Sequence, residues 1–285
     1  MRSDSYGIDD RLHGGWPHRV INYYSWALSC LQLRKYYDEV ELVTDHFGQE
    51  IFIDKIGLPY TSVRTVLNQI DHYSPALWAL GKLYTYGLQD KPFLHVDGDV
   101  FIFQEFGEQL MNAALIGQNM ELTPVSMPDY EEVWAGLVKI PSYFGNLSGV
   151  KYIPGVSAGI LGGNDIIFFK EYVKEAFSFL ENNMEVIVDS LLTINAGFVN
   201  VITEQVVFEA LARRHQHKIT CLFPQIDAPD HIGVFNFARD NKNYVHCYGF
   251  YKSVRICYAH LEWRLQTDYP EYYHKINRLI EKSEI

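Results

Sequence analysis

Two short stretches hold the residue types from which a reaction centre can be built. In the first, Lys-Pro-Phe-Leu-His-Val-Asp-Gly-Asp-Val-Phe-Ile-Phe over residues 91–103, two apolar strand-like runs enclose Asp97 and Asp99 with Gly98 between them. Carboxylates that emerge where a buried strand ends need a cationic partner, and hard oxygen donors this close together suit a divalent metal. A β-turn with two solvated carboxylates fits the same letters. The second stretch, His246-Cys247-Tyr248-Gly249-Phe250-Tyr251-Lys252, sets an imidazole, a glycine and a lysine at offsets of three and six. A neutral imidazole can complete a metal shell begun by two carboxylates. The glycine admits a close backbone approach to phosphate, and the lysine supplies a point charge for it. Alone, His246 reads as a structural histidine. Jointly, the two stretches point to a metal–diphosphate site.

The elements that must position these residues are set by periodicity and punctuation. Residues 24–37 carry a helical pattern with Ser25 as its N-cap, and 39–44 alternate as a strand. A helical stretch over 49–56 ends at Gly57 and Pro59, and 61–69 read as a strand followed by loop. Ser74-Pro75 opens a helix that runs to Tyr86, with Gly87 just past its end. The apolar run before Asp97 comes next. Strand, helix, strand, helix, strand with short joins is the pattern of a predominantly parallel sheet. Ligands of such sheets bind outside the carboxyl ends of the strands, where Asp97 and Asp99 fall.

Further along, 110–116 is ambiguous between helix and strand, and 130–138 read as a helix among Pro- and Gly-rich loops. Residues 154–163 form a small-residue strand or turn. Asn164 caps a helix with an apolar stripe at Ile166, Phe169, Val173, Phe177 and Leu180. Residues 185–212 read as mostly helical, interrupted near Asn195-Ala196-Gly197. Strands are expected at 218–222, 232–237 and 244–246, then two C-terminal helices broken at Pro270. Residues 1–20 show no clear element, and 257–285 form a helical tail to a single domain spanning 1–285. No internal repeat and no linker divides it.

With 48% apolar and 15% aromatic residues, the composition is that of a globular chain. The formal net charge of −11 and the absence of a long basic run argue against nucleic acid as a partner. The nearest thing to a basic patch, residues 213–218, reads as a solvated helix end. Four scattered cysteines without a paired spacing indicate a reducing compartment. No apolar segment reaches the length of a membrane span and no signal-peptide core is recognisable. A cytoplasmic protein is expected, with peripheral attachment at the inner face of the membrane still open.

On these motifs the chain resembles glycosyltransferases of the GT-A fold, in particular the glycogenin-like and lipopolysaccharide galactosyltransferase-like group, over roughly residues 24–256. The resemblance implies an α/β fold with a Rossmann-like mixed sheet, mostly parallel and flanked by helices. It further implies a hexosyltransferase, retaining in that family, that moves a sugar from a nucleotide-diphosphate donor, UDP-sugar above all, to a glycan or glycolipid in surface polysaccharide assembly. Asp97, Asp99 and His246 would bind Mn²⁺ (or Mg²⁺), and Lys252, with Gly249, would contact the diphosphate. Lys82 occupies the place of the basic residue on the helix before the aspartates. Ser157-Ala158-Gly159 resembles the strand under the donor sugar, with serine for asparagine. Asn195-Ala196-Gly197 fits those letters better but lies too close to the next match along the chain. That match, Glu204-Gln205, resembles an acid–glutamine pair beside the reacting sugar, and Glu204 reads equally as an acid favoured by a helix N-terminus. The chain departs from that family at Ser253-Val254, where Pro-Trp is usual. Two other readings use the same residues: a non-catalytic GT-A-like domain binding sugar or a partner, and a metal-dependent nucleotidyltransferase or phosphoesterase.

Overall fold

The structure, a computed structural model, describes residues 13–145, 150–223 and 243–285. In chain order the main described elements are α1 (Arg19–Tyr36), β1 (Glu41–Thr44), β2 (Ser62–Thr65), α2 (Ala79–Gly87), β3 (Phe93–Val96), β4 (Val100–Ile102) and β5 (Leu115–Pro124). Next come α3 (Pro128–Gly136), β6 (Tyr152–Val156), β7 (Ile160–Gly163), α4 (Ile166–Asn182), α5 (Met184–Arg214), β8 (Ile219–Phe223), β9 (Tyr244–His246), α6 (Arg255–Asp268) and α7 (Pro270–Glu281). The result is a mixed α/β protein. Its chain gathers into two compact units, one made of Met1–Gln69, Asp97–Glu105 and Asp227–Ile285, the other of Ile70–Val96 and Phe106–Ile226.

The first unit is built on α1. Apolar residues are spread around most of this helix, and Tyr23, Tyr24, Ala27, Leu28, Cys30 and Leu31 are all buried. A helix apolar on nearly all sides belongs inside its domain. Helices α6 and α7 pack on it, burying Leu261, Leu265 and Ile276. β1 and β2 pair in parallel, Glu41 opposite Ser62 through Thr44 opposite Thr65. β4 and β9 pair antiparallel, with Val100 opposite His246 and Ile102 opposite Tyr244.

The second unit holds a five-stranded sheet in the order β3-β7-β5-β6, with β8 parallel to β5. The first half of β5 pairs with β7 (Gly117 opposite Leu161), the second half with β6 (Met120 opposite Val156). Between those two pairs β5 has two residues and the opposite chain four. Ser157 keeps to β5, accepting from Gln118 N and donating to Asn119 O, both at 3.0 Å, and Ile160 pairs with Val96, so the extra residues of the bulge are Ala158 and Gly159. A bulge of this kind bends a strand and re-aims its groups. Helix α4 covers the sheet with Phe168, Phe169, Tyr172, Ala176, Phe179 and Leu180, all buried.

Several expectations need correction. Among the described ladders four are antiparallel and two parallel, so the expected mostly parallel sheet is not seen. A parallel pair needs a long crossover, whereas β6 passes into β7 through only three residues and both run back along β5. Helix α1 begins at Arg19, with His18 as its N-cap, because Ser25 is fully buried inside it. Helix α4 is capped by Asp165, whose side chain accepts from Phe168 N, and not by Asn164. By length and composition α5 could cross a membrane, contrary to the expectation that no segment could. It bends at Asn195 (φ −161°, ψ 97°) and places Ile187, Leu191, Ile202, Val206 and Phe208 in the core, with 39% of its most apolar stretch buried. The strand expected at 232–237 lies outside the described residues.

Candidate metal centre

The antiparallel pairing of β4 with β9 brings the two motifs together. Val100 lies opposite His246, and the ladder continues one step further through Cys247 N donating to Asp99 O at 3.0 Å. Asp99 and His246 are 147 residues apart in sequence yet become neighbours in one short ribbon. The step from Asp97 to Val100 is a tight turn closed by Val100 N donating to Asp97 O at 3.0 Å.

Helix α1 fixes that turn from beneath. Ser25 Oγ donates to Gly98 O at 2.8 Å, and Ser29 Oγ to Asp97 O at 3.3 Å. The two hydroxyls are one helical turn apart on one face, which explains polar residues in so buried a helix. The indole of Trp26 lies against Gly98, where an added Cβ would stand 2.7 Å from the ring. Only glycine fits between the two aspartates. Sequence reasoning missed Ser25, Trp26 and Ser29 as parts of the site, because helical periodicity marks a buried face but not what that face supports.

Asp97, Asp99 and His246 each offer a ligand atom, and these atoms lie within 4.8 Å of one another. His246 Nε2 is 3.4 Å from Asp99 Oδ1, a long contact, and Oδ1 is buried with no hydrogen bond of good geometry among the described residues. On the other oxygen, Lys252 Nζ lies 2.8 Å from Asp99 Oδ2. The same ammonium donates to Gly14 O at 2.7 Å and sits 5.6 Å from the centre of the Trp16 ring. The Gly14-Gly15-Trp16 segment, featureless as a sequence pattern, thus anchors the motif lysine. Gly249 takes φ +51° with open space where a Cβ would project, so its glycine is required by the turn.

The electrostatics are those of a concentrated anionic pocket. Burial alone would raise the Asp99 carboxyl, but the Lys252 ammonium, and after it His246, outweigh this and hold it well below the usual carboxylate range. Burial, then the charges of Asp97 and Asp99, push the Tyr244 phenol well up. Two carboxylate oxygens and an imidazole nitrogen, one of the oxygens buried and lacking a hydrogen bond of good geometry, are a donor set that fits Mn²⁺ or Mg²⁺.

The remaining expected site residues lie in the second unit, where they form a cluster of their own. Glu204 is fully buried in α5. Its Oε1 is 3.1 Å from Lys82 Nζ and accepts from Tyr86 Oη at 2.9 Å, while Tyr172 Oη donates to its backbone carbonyl at 2.8 Å. Glu204 is therefore an internal acid paired with a lysine, and not an exposed acid at a helix start. Lys82 Nζ also donates to Ala158 O at 3.4 Å, a carbonyl in the bulge between β6 and β7. Ser157 is buried and its Oγ accepts from Gln118 Nε2 at 3.2 Å. Gly159 completes the bulge. Gln205 Oε1 is buried without a hydrogen-bond partner among the described residues. Tyr86 and Tyr172 carry no signal in the sequence. They look like ordinary core aromatics until their hydroxyls are placed.

Residues 4–279 match the family described as "Family of unknown function (DUF6734)", and the chain belongs to that family. No curated protein and no solved structure matches it.

Proposed function

We propose that this protein is a metal-dependent glycosyltransferase with a GT-A-type donor site. The supporting observation is the convergence of Asp97, Asp99 and His246 within 4.8 Å, beside a lysine on the same buried carboxylate. In this reading the three residues hold Mn²⁺ (or Mg²⁺), which when bound supplies Lewis-acid stabilisation of a departing diphosphate. The protein's own part is positional. Ser25, Ser29 and Trp26 keep the aspartate turn rigid, so the ligands need little rearrangement on binding. Lys252, held on Asp99 and Gly14, keeps a positive charge at the edge of the site where negative charge would grow. The finer fold assignment belongs to the same proposal. It rests on the parallel β1–β2 ladder and on the order helix α2, strand β3, aspartate turn. A UDP-sugar donor, a glycan or glycolipid acceptor, and action at the cytoplasmic face of a membrane are parts of it too.

The test is a panel of nucleotide-sugars incubated with Mn²⁺ and candidate acceptors. Release of nucleoside diphosphate is monitored together with mass gain on the acceptor. Release from at least one donor is expected, with a drop of about a hundredfold or more in Asp99→Asn and His246→Ala. Full activity in both Asp97→Asn and Asp99→Asn would sink the proposal.

One observation favours a second reading. The Lys252 ammonium, 2.8 Å from Asp99 Oδ2, already supplies a cation to the pocket, as a metal-free binding domain would require. Calorimetry with UDP separates the two: binding that needs Mn²⁺ supports the transferase, and equal binding with and without it supports the second reading.

A further inference from the structure

A groove of about 600 Å³ opens in the first unit where the last turns of α1 and α6 meet. Gln32, Arg34, Lys35, Arg264, Asp268 and Tyr269 are among its lining residues. That volume is in the range of small-molecule sites. Its lining carries three cations and one carboxylate, a net positive charge within a chain of formal charge −11. Two of the cations have structural duties that leave part of each guanidinium unused. Arg34 Nη1 donates to Tyr37 O and Asp38 O, both at 2.6 Å, closing the end of α1. Arg264 Nη2 pairs with Asp268 at 2.8 Å, and the guanidinium lies 4.7 Å from the centre of the Phe103 ring. Yet Arg34 Nε and Arg264 Nε are both buried with no hydrogen-bond partner among the described residues. So is Oε1 of Gln32, a residue only 2% exposed. Leaving such groups unpaired costs free energy. Two spare donors and one spare acceptor around one groove therefore call for a definite complement.

We infer that this groove binds a small hydroxylated anion, a phosphorylated or carboxylated sugar, at a site separate from the metal centre. Anionic oxygens take the two guanidinium N–H groups and the Lys35 ammonium, and a hydroxyl donates to Gln32 Oε1. Planar guanidinium groups suit phosphate and carboxylate, and such bonds are charge-assisted. Because both Nε groups are buried, ligand binding requires each guanidinium to re-orient toward the groove, Arg34 against its bonds to Tyr37 O and Asp38 O and Arg264 against its pair with Asp268, a side-chain change common at binding surfaces.

The experiment titrates glucose 6-phosphate, inorganic phosphate and glucose into the full chain, by calorimetry at low salt after divalent metal has been removed on a chelating resin. Saturable binding is expected for both phosphates, tighter for the sugar phosphate, with none for glucose. Arg264→Gln should weaken it about tenfold. Lys35→Gln, at an exposed position that tolerates change, should weaken it several-fold and flatten its salt dependence. A parallel arm uses vesicles carrying a phosphorylated inositol lipid, and a stronger response there assigns the same chemistry to a headgroup. No saturable binding by the wild type in any arm, an equal response to glucose, or unchanged affinity in Lys35→Gln would overturn the inference. Divalent metal is excluded throughout, so failure here leaves the metal-site proposal untouched, and failure of that proposal leaves this one.

Discussion

Asp99 has a different neighbour on each carboxylate oxygen, Lys252 at 2.8 Å and His246 at 3.4 Å, and only the first is a good contact. The consequences of this asymmetry can be measured. Lys252→Met removes the ammonium and leaves a largely buried carboxylate uncompensated, which should cost about 3 kcal/mol in urea unfolding. Added Mn²⁺ should recover more stability in that variant than in the wild type, because metal then replaces the positive charge that Lys252 no longer places beside Asp99. The pH dependence has a defined sign. The Asp99 carboxyl sits lower in the folded chain than in the unfolded one. Its contribution is therefore complete above the ordinary aspartate pKa of about 4 and drains away as pH falls below it. Acid titration of stability should accordingly be shallower in Asp99→Asn. Gly98→Ala presses a methyl against the Trp26 ring and should destabilise by about 1–3 kcal/mol, read from the urea midpoint.

At the scale of elements, a serine-bearing face of α1 and the β4–β9 ribbon together hold the metal centre. Ser25→Ala should cost about 1 kcal/mol through the lost bond to Gly98 O. It should also weaken metal binding by loosening the turn. The bend in α5 offers a parallel test in the second unit. Asn195 Oδ1 accepts from Phe198 N at 3.1 Å, capping the second half of that helix. Asn195→Ala should cost about 1 kcal/mol in thermal unfolding, and Asn195→Asp should not be neutral either, because it keeps the cap but trades the amide's bond to Asp129 Oδ2, 3.3 Å away, for a pair of like charges. Much of this layer is legible in the sequence. The break near Asn195, the short strand at 244–246 and the two C-terminal helices parted at Pro270 all have local signals. Strand direction does not. The run of elements up to Asp97 suggests parallel pairing, but β3 finds its partner in β7, far along the chain. Nothing local in a strand states which way its neighbour runs. The starts of α1 and α4 depart from expectation for a related reason: Ser25 and Asn164 are good caps by type, and the fold uses Ser25 inside the core and Asp165 in place of Asn164.

For the whole molecule, the sequence separates residues that the chain reunites in two places. Asp97, Asp99, His246 and Lys252 meet in one unit, and Lys82, Ala158 and Glu204 meet in the other. The first meeting is legible because both motifs have recognisable spacing. The buried pairing of Lys82 with Glu204 and Tyr86 is not: the resemblance marks Lys82 and Glu204 separately, nothing local says that they meet, and Tyr86 reads as a core aromatic. Glu204→Leu should cost about 3 kcal/mol, by stranding the Lys82 charge, and Glu204→Gln distinctly less. The family to which the chain belongs carries no functional description of its own, so the central claim rests on the cluster's chemistry. Its most direct test is calorimetric titration of Mn²⁺ into the full chain, with and without UDP. The account predicts one saturable Mn²⁺ site, tightened by UDP and lost in Asp99→Asn and His246→Ala. No Mn²⁺ binding by the wild type, or binding unchanged in both variants, would contradict it.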